Sequence, residues 1–123
     1  MATIYTSAGE AKVCDLIDGT SAAHMDNTNG KIAWGTGAGT AAKGDTTLFT
    51  EASETRVAVV ASQPLADKNR WVATLTADAG KTITNVGLFD AASGGNLIVK
   101  GDFTGIVLAL GDKIEFTIDL EQT

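Results

Sequence analysis

The chain has 123 residues, a formal net charge of −6, 44% hydrophobic residues and 20% charged residues. That length predicts one domain (1–123) with a core large enough to need no disulfide staples, and the composition argues against intrinsic disorder. Its nine Lys and Arg are scattered singly, whereas a nucleic-acid binder needs a clustered basic stripe to displace counterions; the same acidity disfavours an anionic membrane surface.

The N-terminal Met-Ala-Thr-Ile-Tyr-Thr lacks the basic and apolar regions of a signal peptide, and no apolar run approaches the ~18 residues of a membrane span. A reducing cytoplasm is the expected place of synthesis. From Ser7 the pattern turns helical. Ser7 and Glu10 have the spacing of a capping box, and Ala8, Ala11, Val13, Cys14, Leu16 and Ile17 recur near a period of 3.6. Gly19 suits a left-handed stop, so a short amphipathic helix is expected over about 7–18. Cys14, the lone cysteine, is expected there as a small buried hydrophobe.

A polar loop, 20–30, follows. Strands are expected from about residue 31 onward: Lys31–Trp34, Arg56–Ser62, Asn69–Ala77, Thr82–Phe89, Leu97–Phe103 and Lys113–Leu120. The last alternates most strictly, with Ile114, Phe116, Ile118 and Leu120 on one face and Lys113, Glu115, Thr117 and Asp119 on the other. Asp78-Ala79-Gly80, Ser93-Gly94-Gly95-Asn96 and Gly111-Asp112 carry turn chemistry. Strands spaced this way, without helical crossovers, predict a mainly β protein: an antiparallel β-sandwich, jelly-roll-like, with one short N-terminal α-helix. The segment Thr40–Glu54 reads as an extended loop whose large apolar anchors are Leu48 and Phe49.

Sites for chemistry are hard to assemble. Gly35, Gly37 and Gly39 invite a phosphate-loop reading, but Thr40 stands at the sixth position of a dinucleotide fingerprint, and in P-loop register Asp45 replaces the lysine that must reach the phosphates. Asp26-Asn27-Thr28-Asn29-Gly30 opens like a calcium loop, yet the twelfth position is Gly37 where a bidentate Glu is required. One histidine, His24, and one cysteine make no zinc site. No serine lies in a nucleophile elbow, and the carboxylates fall in turns or on outward strand faces. The expectation is no enzyme, no metal and no cofactor. If the glycine run and the loop anchors serve a partner, Gly35, Gly37, Gly39, Leu48 and Phe49 are the contact candidates.

Several motifs fall in a familiar order: Val13-Cys14-Asp15-Leu16-Ile17, Ile32-Ala33-Trp34-Gly35-Thr36-Gly37, Gly44-Asp45-Thr46, Thr50-Glu51, Arg56, Asn85-Val86-Gly87-Leu88-Phe89-Asp90, Ser93-Gly94-Gly95-Asn96-Leu97 and the final alternating strand. In this order the chain resembles small virion proteins of tailed bacteriophages, described as capsid decoration (cement) proteins, head fibres or tail-fibre components. The resemblance implies a virion structural protein assembled in the host cytoplasm. Its first expected role is as a cement protein on the capsid surface, a homo-oligomer (a trimer) that binds the major capsid protein, with neither nucleic acid nor membrane as partner. The alternatives are a tail-fibre, baseplate or receptor-binding module and, more remotely, a small carbohydrate-active enzyme.

Overall fold

The computed structural model describes residues 2–21 and 23–122; Met1, Ala22 of the polar loop and Thr123 lie outside them. In chain order the elements are β1 (Ala2–Tyr5), α1 (Ser7–Asp18), β2 (Lys31–Gly35), β3 (Val57–Ala58), β4 (Val60–Leu65), β5 (Lys68–Thr76), β6 (Lys81–Phe89), β7 (Leu97–Leu108) and β8 (Lys113–Glu121). They form a five-stranded sheet ordered β1-β7-β6-β2-β3 and a three-stranded sheet ordered β4-β5-β8. Every pairing is antiparallel.

The sheets pack face to face, as the alternation predicts. Trp71, Ala73 and Leu75 of β5 and Ile118 of β8 meet Ile32, Trp34, Ile83, Leu88 and Val99 of the larger sheet in one apolar core. Trp34 lies edge-on to Phe116, with ring centroids 6.2 Å apart and planes at 82°, a favoured aromatic geometry. Outward on β5 and β8, Arg70 and Asp119 sit directly across the ladder and pair at 2.8 Å.

Helix α1 spans the predicted residues and stops at Gly19, whose φ of 81° is the left-handed conformation expected there. Its cap is Thr6, one residue earlier than the Ser7 capping box: the Thr6 hydroxyl accepts the Gly9 amide at 3.0 Å. Thr6 wins because its own hydroxyl proton is needed elsewhere, at the carbonyls of Leu97 and Ile98 on β7. Gly9 permits the docking, since a Cβ there would collide with the Ile98 carbonyl oxygen. With Gly9 and Lys12 as its buried residues, the helix leaves Cys14 exposed, so the expectation of a buried thiol is corrected.

Two further differences concern strands. β1 precedes the expected start near residue 31; four residues are too few to display a period, and the strand owes its form to pairing with β7. The stretch expected as one strand from Arg56 to Ser62 divides at Val59, where the chain leaves the larger sheet for the smaller. Val59 is 2% exposed and its amide binds the Gly30 carbonyl at 3.2 Å.

Because the buried Thr6 hydroxyl joins the helix start to β7, Thr6→Val is expected to lower stability by about 2 kcal/mol, from a lost cap and the lost hydroxyl bonds to the Leu97 and Ile98 carbonyls. Thr6→Ser should keep most of it. The urea midpoint, at unchanged m value, measures both.

Candidate functional site

The back of the five-stranded sheet, the face turned away from the core, is not left to water. Ala33, Phe89 and Leu97 point there and join Leu48 of the 36–56 segment in a second apolar cluster. That segment folds back along the sheet. The Thr36 amide binds the Thr50 carbonyl at 3.0 Å, the Gly37 amide the Phe49 carbonyl at 2.8 Å, and the Ala52 amide the Trp34 carbonyl at 2.9 Å; Gly35 and Glu51 form a bridge. In effect β2 acquires a short irregular partner.

All five candidate contact residues come together here. Leu48 is 5% exposed and Gly35 is buried, Gly37 and Phe49 are partly covered, and Gly39 is exposed. The glycines are spaced to seat Phe49. A Cβ on Gly35 would stand 2.6 Å from the Phe49 carbonyl oxygen, one on Gly37 2.8 Å from its carbonyl carbon, and one on Gly39 2.7 Å from its ring. In this conformation the cluster spends its apolar surface on internal packing; what it shows to the outside is the rim of Phe49 and the backbone near Gly39.

Two polar side chains that the sequence pattern did not single out hold the segment down. Asn85, fully buried on β6, accepts the Phe49 amide at 3.0 Å and donates to the Phe49 carbonyl at 3.1 Å, imitating a strand partner. Lys100, 1% exposed on β7, places its ammonium 2.9 Å from Asp45, 2.8 Å from the Thr47 carbonyl and 3.3 Å from the Phe49 ring centroid. Farther along, Arg56 pairs with both Glu51 oxygens at 2.9 Å, binds the Ala91 and Gly94 carbonyls, and lies 3.6 Å over Phe89. The sequence did hold a signal: an amide and an ammonium inside apolar strand runs must be partnered if buried.

The electrostatics are those of a scaffold. The Ala42 amide and then the Lys100 ammonium hold the Asp45 carboxyl below its ordinary value. Burial alone would raise Asp90, but hydrogen bonds from Asn96 and Lys12 outweigh it and its carboxyl is lowered. Glu54 is likewise lowered, with Lys81 prevailing over burial. Such carboxylates stay ionised as acceptors and are unsuited to donate protons near neutrality. Asp26 accepts the Thr28 and Asn29 amides at 3.0 and 2.9 Å, which makes the calcium-like stretch a turn. His24 is exposed on that turn. Among the described residues no group of His, Cys, Asp or Glu is placed to hold a metal ion.

Open surface lies elsewhere. A groove of about 490 Å³ runs beneath α1, between Leu16, Ile17 and Met25 on one side and Trp71 and Leu120 on the other, with Ile17 82% exposed. Another, of about 330 Å³, opens where β7 faces β8. Val107 and Leu110, at the β7–β8 connection, are 79% and 73% exposed.

A comparison with protein families finds one whose profile matches residues 5–120, described as podophage GP4 fiber I protein gp80. No curated protein and no solved structure matches significantly.

Asn85→Ala would leave the Phe49 amide unpaired and its carbonyl with the Gly37 amide alone, and is expected to cost about 1–3 kcal/mol, with faster hydrogen exchange at the Phe49 amide than in β5. Lys100→Met keeps the stem but removes the ammonium; about 1–3 kcal/mol is expected, below a fully buried pair because Asp45 remains 24% exposed and can hydrate. A pH series tests the same clamp. Since the Asp45 pKa is depressed on folding, its contribution is complete above the ordinary value of 3.8 and declines as pH falls from there toward the folded value. Asp45→Asn should flatten that part of the acid limb of stability against pH.

Proposed function

The chain belongs to the family of the podophage GP4 fiber I protein gp80, and from that premise we propose that this phage virion structural protein is a fibre component of the virion, built into the tail fibre or baseplate region. The observation that carries the reading is the extent of the match, which takes in both sheets and the helix from Tyr5 to Leu120. The family's description names a fibre, which favours this assignment over the capsid-decoration role expected first.

The packing supports the same choice. A cement protein needs loops or termini that project across joints between capsid subunits, and here the 36–56 segment is instead laid along its own sheet. A fibre subunit needs a body that keeps its shape under load, and apolar packing on both faces of one sheet serves that need. Symmetric repetition of such bodies would turn weak receptor contacts into avidity. The role is structural, with binding as its chemistry.

Antibody raised against the folded chain, gold-labelled and applied to intact virions, should decorate the tail or its fibres. Labelling spread over the capsid lattice would overturn the fibre assignment in favour of decoration.

A further inference from the structure

A five-stranded sheet facing a three-stranded one leaves part of its inner surface without a lid. The chain crosses between sheets at Val59 on the β3 side, which closes that flank. On the other flank β8 is the last strand of its sheet: all nine residues from Lys113 to Glu121 pair with β5, and among the described residues nothing pairs with the opposite edge. In an antiparallel ladder the edge strand turns main-chain N–H and C=O groups away from its one partner at regular intervals. β8 therefore offers a straight row of unfilled main-chain positions.

Beside that row lies the groove of about 330 Å³, whose apolar lining is Val86, Val99, Phe103, Ile106, Phe116 and Ile118, with Thr3, Asp102, Thr117 and Asp119 also bordering it. Phe103 and Phe116 belong to the core yet are only partly covered, their ring centroids 6.4 Å apart, and Ile106 is 40% exposed. A strand added to β8 would complete a fourth strand of the smaller sheet and lay every second side chain over these rings. The edge thus asks for extended backbone, and the groove asks for apolar residues at alternate positions.

The remaining side chains of such a strand would face the outer surface of β8, where Lys113, Glu115, Thr117, Asp119 and Glu121 project, with Asp119 paired to Arg70 and Glu121 to Lys68. This row decides between occupants. Two copies of β8 paired antiparallel about Thr117 would set Glu115 against Asp119 twice and Lys113 against Glu121 twice, so attraction only offsets repulsion, whereas a basic strand would meet a carboxylate at three of these four positions. β4, the other edge of the same sheet, makes a poor donor: its register breaks between Ser62 and Leu65, around Pro64. Glu115 is exposed and, among the described residues, makes no ion pair.

We propose that the free edge of β8 is the docking site for an extended strand of a different polypeptide, one whose residues alternate between apolar side chains, directed into the Phe103–Phe116 groove, and basic side chains, set opposite Glu115 and Asp119. The proposal stands on the edge, the groove and the charges, and holds wherever on the particle the protein resides.

The probe is a synthetic peptide, Lys-Val-Lys-Ile-Thr-Val-Lys-Val-Thr, titrated into the intact chain while hydrogen exchange is followed at the β8 amides. Every second β8 amide should exchange fast in the free protein and be protected by the peptide. The same peptide with each Lys replaced by Glu should bind at least about tenfold more weakly. Glu115→Lys, at an exposed position that leaves the fold intact, should shift the preference toward the acidic peptide. Ile106→Lys, at the groove rim, should weaken both peptides, with the far-UV spectrum and urea midpoint as its folding control. No protection at saturating lysine peptide would overturn the proposal, as would equal affinity for the two peptides. So would β8 protection that rises with protein concentration alone while the mass by light scattering doubles, because a second copy would then fill the edge.

Discussion

The structure depends on the five-stranded sheet being apolar on both of its faces. Ile32 and Trp34 point into the space between the sheets while Ala33 points out the back, and Val86 and Leu88 are opposed in the same way by Gly87 and Phe89. Water on the back face would expose much of what makes the sheet stable, since apolar area contributes roughly 25 cal/mol per Å² removed from solvent. No second helix or third sheet supplies the cover among the described residues. The 36–56 segment does, and the residues that fix it, Asn85, Lys100 and Arg56, all reach it from β6, from β7 or from its own end. Polar groups here act as fasteners for an apolar lid, which is why each is satisfied by hydrogen bonds and none stands alone.

Much of this was legible beforehand, and the reasons for the rest are specific. α1 announced itself by period and by Gly19, because both are local properties of a dozen consecutive residues. Its cap moved from Ser7 to Thr6 because the Thr6 hydroxyl is also claimed by β7, about ninety positions away in the sequence, which no local pattern contains. β8 and β5 were clear since one face of each is wet. β6 reads as a strand, but Val86-Gly87-Leu88-Phe89 is a continuous apolar run in an antiparallel sheet, the mark of cover on both sides. Seen so, the run foretells that something must lie on the back of the sheet.

The glycine run shows how composition misleads when tertiary contact is ignored. Gly35, Gly37 and Gly39 invite a phosphate-loop reading, and within the fold their spacing serves the close approach of Phe49 backbone and ring. The acidic balance follows a similar logic. Asp45, Glu51 and Asp90 serve the fold as acceptors for buried cations, whereas Glu115 on β8 has no such duty.

The position of the N-terminal elements has a consequence for the order of events on the ribosome. β1 and α1 emerge before β7, yet within the fold both rest on that strand, and the Thr6 hydroxyl meets a carbonyl 91 residues downstream. At about 5–20 residues per second of synthesis, that strand follows them by roughly 5–20 s. Through this interval the amphipathic helix lacks the strand it docks on, and elements made early in this fold are among the last to find their place.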